Sequence, residues 1–158
     1  MNPQVPLVLI GRAEEVDFPE LGLKAVPARI DTGAKTSALW ASDAVEVDGE
    51  LQYKLFNKTS ALYDGKVQRT RDFKKLLVSS STGEVQERYA IKHLVRLSGR
   101  NIRASFTLAD RSNQAYPILV GRNVLRGKFI VDVKQGKPQT QLERKKELYK
   151  QAIHKERS

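Results

Sequence analysis

Short apolar runs cut apart by tight turns constrain this chain more than any other feature. Val45-Glu46-Val47 and residues 51–56 alternate apolar with polar on either side of Asp48-Gly49, a pair that accepts the positive φ angles of a two-residue hairpin. Leu76-Leu77-Val78 and Tyr89-Ala90-Ile91 flank residues 79–84 as a second hairpin. Residues 94–97 and 102–108 flank 98–101 as a third. Further strands are expected at 7–10, 24–30, 37–41 and 129–133. Ile118-Leu119-Val120 is apolar throughout, as a strand buried on both faces would be. Helical periodicity is nearly missing before Val124, so the pattern predicts an all-β domain of barrel or sandwich type. Pro27 marks an edge or an irregular start of its strand. Glu14, Glu15, Asp17 and Glu20 read as an acidic patch around Pro19, and Leu21-Gly22 as a turn. Residues 57–71 read as a loop with room for one further strand, and Trp40 as a core or subunit-contact residue.

The strand at 24–30 runs directly into Asp31-Thr32-Gly33-Ala34, the stretch best suited to chemistry. A carboxylate after an apolar strand end and before a glycine sits at a sharp turn, where backbone N–H groups can point at its oxygens. Gly33 lets that turn be tight, because without a Cβ another backbone or a substrate can approach closely. Thr32 supplies a short hydroxyl to tie the turn to a second segment.

Composition narrows the function classes. The chain has 158 residues, one domain's worth, with 40% hydrophobic and 29% charged residues, an ordinary globular balance. It contains no Cys, which excludes disulfides, thiol nucleophiles and Cys-ligated metals. The two histidines, His93 and His154, lie far apart and belong to no metal-binding motif. No signal peptide or membrane-length apolar run is read, and a cytoplasmic location is the simplest expectation. A formal charge of +10 and a pI near 9.9 imply attraction to polyanions or acidic substrates, or simply a solvated basic surface with a basic tail. Residues 1–136 are expected to form the domain. The remainder, 137–158, is expected to be a basic tail with a surface helix at 141–155.

These motifs carry a family resemblance. Asp31-Thr32-Gly33-Ala34 is similar to the Asp-Thr-Gly-Ala motif of retropepsin-like aspartic peptidases. Residues 118–125, an apolar strand followed by Gly121-Arg122-Asn123 and a short helix, resemble their second hallmark. Gly11-Arg12-Ala13-Glu14-Glu15-Val16 with Phe18-Pro19-Glu20-Leu21-Gly22 resembles more closely a bacterial family labelled ATP-dependent zinc proteases. Asp110-Arg111-Ser112 and Tyr116-Pro117 fit the same family, and the likeness runs from about residue 9 to about residue 133.

The resemblance implies a closed or partly open acid-protease barrel and a homodimer, because a chain with one Asp-Thr-Gly supplies one of two carboxylates. Two such groups about 3 Å apart share one proton and activate water against a peptide bond. Asp31 is then catalytic, while Thr32, Gly33, Ala34, Gly121, Arg122 and Asn123 shape the site. Ser80, Ser81, Thr82 and Gly83 form either a flap tip or an ordinary exposed turn. In the family the Arg of Gly-Arg-Asn is braced by an Asp a few residues after the catalytic one. Lys35 stands there instead, so Asp110, Asp132 or a carboxylate of the other subunit replaces it, or the brace is missing. Family members are associated with an ATP-grasp ligase that adds glutamates to a ribosomal protein, which implies an acidic or glutamylated peptide tail as substrate. Despite the family label, no phosphate loop or zinc motif is present, and no cofactor or metal is assigned.

A second reading, from another class, is a catalytically silent basic module that docks on ribosome or RNA through Arg69, Arg71, Lys74, Lys75, Arg88 and Arg103. Strand alternation makes plain solvent-facing positions the simpler explanation for those residues. His93, in an apolar-polar alternation, reads as a surface strand residue rather than a ligand.

Overall fold

A computed structural model describes residues 6–79, 82–136 and Ile153. Its strands are β1 (Val8–Ile10), β2 (Ala13–Phe18), β3 (Leu23–Ile30), β4 (Ser37–Val47), β5 (Glu50–Leu55), β6 (Val67–Thr70), β7 (Lys74–Ser79), β8 (Val85–Leu97), β9 (Arg100–Ala109), β10 (Ile118–Val120) and β11 (Phe129–Val131). One short helix, α1 (Arg122–Leu125), follows β10. The barrel is closed: the order β10-β3-β2-β8-β9-β4 returns to its start because β4 also pairs with β10. Strands β5 and β6 extend the sheet beyond β4, β7 adds to β8, and β1 pairs with β11 as a separate parallel ribbon. This is the all-β, retropepsin-like barrel that the motifs imply. No helix among the described residues is long and apolar enough to cross a membrane.

The turn chemistry explains most of the path. Asp48 and Gly49 take φ of 51° and 77° between β4 and β5, the two positive values of a type I′ hairpin. Ser98 and Gly99 do the same, at 48° and 80°, between β8 and β9. The second and third hairpins share one 13-residue strand, β8, whose first half pairs with β7 and whose second half pairs with β9 and β2. The loop at 57–71 does hold one further strand, β6.

The acidic patch at Glu14, Glu15 and Asp17 proves to be strand β2. Charged residues weaken a strand signal, yet here they satisfy backbone donors at two irregular points. Glu14 Oε1 accepts the Gly11 N–H at 2.8 Å, and Asp17 Oδ1 accepts that of Ala25, a residue at φ 52°, at 2.8 Å. Pro27 lies inside β3 opposite Glu15, one residue before β10 begins to pair with that strand at Ala28. Its missing donor therefore faces a flank without a neighbour.

The core fills the barrel. Val16, Leu39, Leu97 and Ile118 are fully buried around Phe18 and Phe106, whose rings meet edge to face at 5.2 Å. Trp40 is a core residue, packed edge-on against Phe56 at 5.9 Å. The first five residues of β4 are all buried, because β9 and β10 flank them on both sides. The expected C-terminal helix lies outside the described residues except for Ile153.

Candidate active site

β3 and β10 run parallel in register, Ile30 beside Val120, so both strands end together and deliver Asp31 and Gly121 to one end of the barrel. The Asp31 N–H donates to the Val120 carbonyl at 2.9 Å, which carries the ladder one residue into the turn. The chain then reverses, and the N–H groups of Gly33 and Ala34 both donate to Asp31 Oδ1, at 2.9 and 3.1 Å. One carboxylate oxygen is thus fixed by backbone donors. The other accepts no hydrogen bond among the described residues. A Cβ on Gly33 would stand 3.3 Å from Oδ1, so the glycine lets the turn close on its own carboxylate.

A partly buried network supports this turn. The Ser37 hydroxyl donates to Asn123 Oδ1 at 2.7 Å and accepts the Gly121 N–H at 2.9 Å. The Asn123 amide in turn donates to the Ser105 carbonyl at 2.9 Å, and the Arg122 N–H donates to the Ala34 carbonyl at 2.8 Å. Gly121 is required by contact: a Cβ there would sit 2.7 Å from the Thr36 carbonyl carbon and 2.9 Å from the Ala34 oxygen. The structure therefore brings Asp31, Gly33, Ala34, Gly121, Arg122 and Asn123 together at one end of the barrel. Sequence reasoning missed the hub, Ser37, which it placed only as the start of a strand. A lone Ser heading an apolar run was the available signal.

Other expectations need correction. Thr32 is exposed, and its hydroxyl has no partner among the described residues, so it ties the turn to no second segment among them. The Arg122 side chain makes no ion pair among the described residues. Asp110 and Asp132 do not replace the missing brace: their carboxylates accept the N–H groups of Ser112 and Lys134 instead. His93 is not a surface residue. Its side chain is mostly buried, with Nε2 3.3 Å from the Tyr53 hydroxyl and Nδ1 3.8 Å from Glu20. The basic residues of β6 to β9 are largely engaged: Arg69 with Glu50, Arg71 with the Asp48 carbonyl, Lys75 with Glu46, Arg88 with Gln86 and Arg103 with Glu20. Ser80 and Ser81 of the proposed flap tip lie outside the described residues. Thr82 and Gly83 follow at the end of the β7–β8 hairpin, with Gly83 at φ 84°.

Asp31 opens on a cavity of about 330 Å³, which Arg12, Arg29, Ile30, Thr32, Tyr116 and Val133 also line. It is the sole carboxylate among them. Beside the cavity, Arg111 Nε donates to the Tyr116 carbonyl at 2.9 Å. Burial holds the Arg111 pKa below its ordinary value, the neighbouring Arg29 and Arg88 push it the same way, and Asp31 pulls it back. The setting of Asp31 is thus strongly cationic. Strand alternation did not predict this, since an arginine at a strand end reads like any surface cation. No group of three or more His, Asp or Glu converges as a metal site among the described residues.

Comparison with known proteins agrees with this geometry. Curated relatives include a probable alpha-L-glutamate ligase of Shewanella halifaxensis (strain HAW-EB4), 32% identical over an alignment 133 residues long that covers 78% of this chain and 28% of that protein. Another is a probable alpha-L-glutamate ligase of Desulfotalea psychrophila (strain LSv54 / DSM 12343), 29% identical over 84% of this chain and 29% of that one. The chain therefore spans less than a third of the length of these relatives. Among solved structures, Lpg0085 from Legionella pneumophila, of unknown function, shares the fold with a TM-score of 0.65 and 20% identity, covering 84% of this chain and 98% of that one. A family model described as retropepsin-like aspartic endopeptidase RimB matches residues 9–141. Because that match takes in both the Asp31 turn and the Gly121 crossing beneath it, the chain belongs to the RimB-like family of retropepsin-like aspartic endopeptidases.

Proposed function

We propose that this protein is an aspartic endopeptidase completed by a second copy of itself, with Asp31 of each chain forming the catalytic pair. The observation that carries this reading is the Asp31 turn, where backbone donors hold one carboxylate oxygen while, among the described residues, the other accepts no hydrogen bond and no second carboxylate lines the cavity. Two such carboxylates brought to about 3 Å share a single proton. The ionised member takes a proton from water, and the resulting hydroxide adds to the peptide carbonyl carbon. The protonated member gives its proton to the carbonyl oxygen. Collapse of the tetrahedral intermediate returns a proton to the leaving nitrogen, and the C–N bond breaks. The apparent pKa values belong to the pair.

Exposed apolar residues beside the site support a second copy. Leu9 and Ile130 are register partners in the β1–β11 ribbon and are each 52% exposed, and Val133, 72% exposed, lines the Asp31 cavity itself. Thr32 stands next to Asp31 with an uncommitted hydroxyl. A symmetric contact over this edge would cover all four.

The substrate we infer is an acidic peptide. Arg12, Arg29 and Arg111 surround Asp31, and the relatives carry a name for ligation of glutamate, whose chains are polyanionic. The β7–β8 hairpin, with Leu77 and Val85 exposed near its end, would serve as the flap. Docking on RNA draws less support, because Arg69, Lys75 and Arg103 are ion-paired within the chain.

The deciding experiment is cleavage of a glutamate-rich fluorogenic peptide by purified protein and by Asp31→Asn. The variant is expected to lose at least about a thousandfold in kcat/KM with its fold intact. Mixed dimers carrying one Asn should be equally silent. Undiminished cleavage by Asp31→Asn would defeat the reading.

A further inference from the structure

Among the described residues, four cations and no carboxylate line a cleft of about 370 Å³ beside α1: Lys35, Arg122, Arg126 and Lys128, together with Asn123. Among the described residues none of these four cationic side chains makes an ion pair or a hydrogen bond. Asn123 adds no free polar group, because its amide is committed to Ser37 and Ser105. Arg122 and Arg126 are four residues apart, the Arg126 N–H donating to the Arg122 carbonyl at 2.9 Å, a spacing at which like charges repel. Lys35 is drawn to the same place by the bond between the Arg122 N–H and the Ala34 carbonyl. Arg100 adds a fifth cation nearby, its Nη1 bonded to the Lys128 carbonyl at 3.0 Å. An adjoining cleft of about 340 Å³ shares Arg122 and Arg126, adds apolar Leu125, Phe129 and Val131, and reaches Thr32 at the rim of the Asp31 cavity.

Gathering like charges costs free energy that an anion in the cleft would offset. We propose that this cleft is an oxyanion-binding site, separate from the Asp31 cavity, for a small phosphate-bearing molecule with at least two negative charges. Phosphate suits it better than peptide carboxylates. Side chains on one face of an extended peptide recur every roughly 7 Å and bring one charge each. A phosphate group brings about two charges and three acceptor oxygens to one point. Two guanidinium forks match those oxygens. The apolar side of the adjoining cleft accommodates the rest of such a ligand. Bound there, the anion stands between Lys35 and Arg122, and it braces from outside the turn that no carboxylate among the described residues braces from within.

The test is titration of the purified protein with sodium pyrophosphate at fixed ionic strength, followed by calorimetry and thermal unfolding. Saturable binding at one site per chain is expected, with a rise in Tm. The double variant Arg126→Gln, Lys128→Gln should bind at least tenfold more weakly. Lys35→Asp, which gives Arg122 an internal partner, should abolish binding while keeping a folded, cooperative transition. Asp31→Asn should bind as the parent does, so failure of the peptidase reading and failure of this one are separable. The proposal is overturned if sodium chloride at matched ionic strength raises Tm equally, or if the double variant binds unchanged. It is also overturned if hexaglutamate occupies the cleft and pyrophosphate does not compete.

Discussion

The protein carries its positive charge in two ways. Along β5 to β9, cations sit against carboxylates: Lys54 with Asp43 at 3.4 Å, Arg69 with Glu50 at 3.2 Å, Lys75 with Glu46 at 3.0 Å and Arg103 with Glu20 at 3.3 Å. Around the Asp31 turn and α1 the pattern reverses. Lys35, Arg122, Arg126 and Lys128 line one cleft without a counter-charge among the described residues, and Arg111 is held among Arg29, Arg88 and Asp31. Exposed ion pairs add little stability, so the paired face is a neutralised surface more than a scaffold. The unpaired end keeps its field, and a field at a cleft mouth attracts anions. Formal net charge alone cannot distinguish these cases. Position relative to the catalytic turn does.

If the open end is functional, the uncharged scaffold beneath it must be rigid, and breaking that scaffold should have the largest effect. Gly121→Ala drives a methyl group into the Thr36 and Ala34 carbonyls, backbone atoms that cannot swing aside. A loss of about 3 kcal/mol or more is expected by chemical denaturation. Gly33→Ala, whose Cβ would meet only the movable Asp31 carboxylate at 3.3 Å, should cost clearly less. Ser37→Ala comes next. It strands the buried Gly121 N–H and releases Asn123, for a loss of about 1–3 kcal/mol. Equal stability of Ser37→Ala and parent would mean that the network is not what holds the site.

The contrast between scaffold and field also explains what could be read beforehand. Turn chemistry is local, so Asp48-Gly49 and Ser98-Gly99 announced their hairpins, and the glycines of both hallmarks announced a tight crossing. Strand β2 was illegible because Glu14, Glu15 and Asp17 stand where a strand signal needs apolar residues, and two of them serve the nearby N–H groups of Gly11 and Ala25 instead. Ser37 was illegible for another reason: its importance comes from Asn123, 86 positions away. The cationic setting of Asp31 is assembled from Arg12, Arg29 and Arg111, which no periodicity links. A cluster from three separate segments is visible only after the barrel closes.

The paired face makes a prediction of intermediate size through its buried rim. Tyr53 is buried, which raises its pKa from 10.0 to about 12. The unfolded chain gives up that proton first, so between about pH 10 and 12 the native state binds more protons and stability falls as pH rises. The loss should reach up to about 3 kcal/mol, read as an alkaline unfolding limb that Tyr53→Phe removes. Burial also lowers the pKa of His93 below 6.5, with Glu20 opposing and Arg103 reinforcing. Its contribution is whole above the unfolded value and is lost as pH drops from about 6.5 toward the depressed native value. His93→Gln should flatten that acidic slope in Tm. A slope left unchanged would assign it to the carboxylates.

Removing a paired cation should do least, and it tests the comparison most directly. The Arg69 side chain is 59% exposed and faces one carboxylate, Glu50. Arg69→Gln is expected to change stability by well under 1 kcal/mol in denaturant melts. It removes the same unit of charge as Arg126→Gln, so a binding site built from local cations must tell the two variants apart. At physiological salt a charge farther than about 8 Å from the ligand is largely screened. Pyrophosphate affinity should therefore be unchanged in Arg69→Gln and reduced several-fold in Arg126→Gln. Equal losses in both would mean that anions respond to the summed charge of the whole surface. The two faces would then differ in appearance only, and the cleft beside α1 would have no claim to be a site.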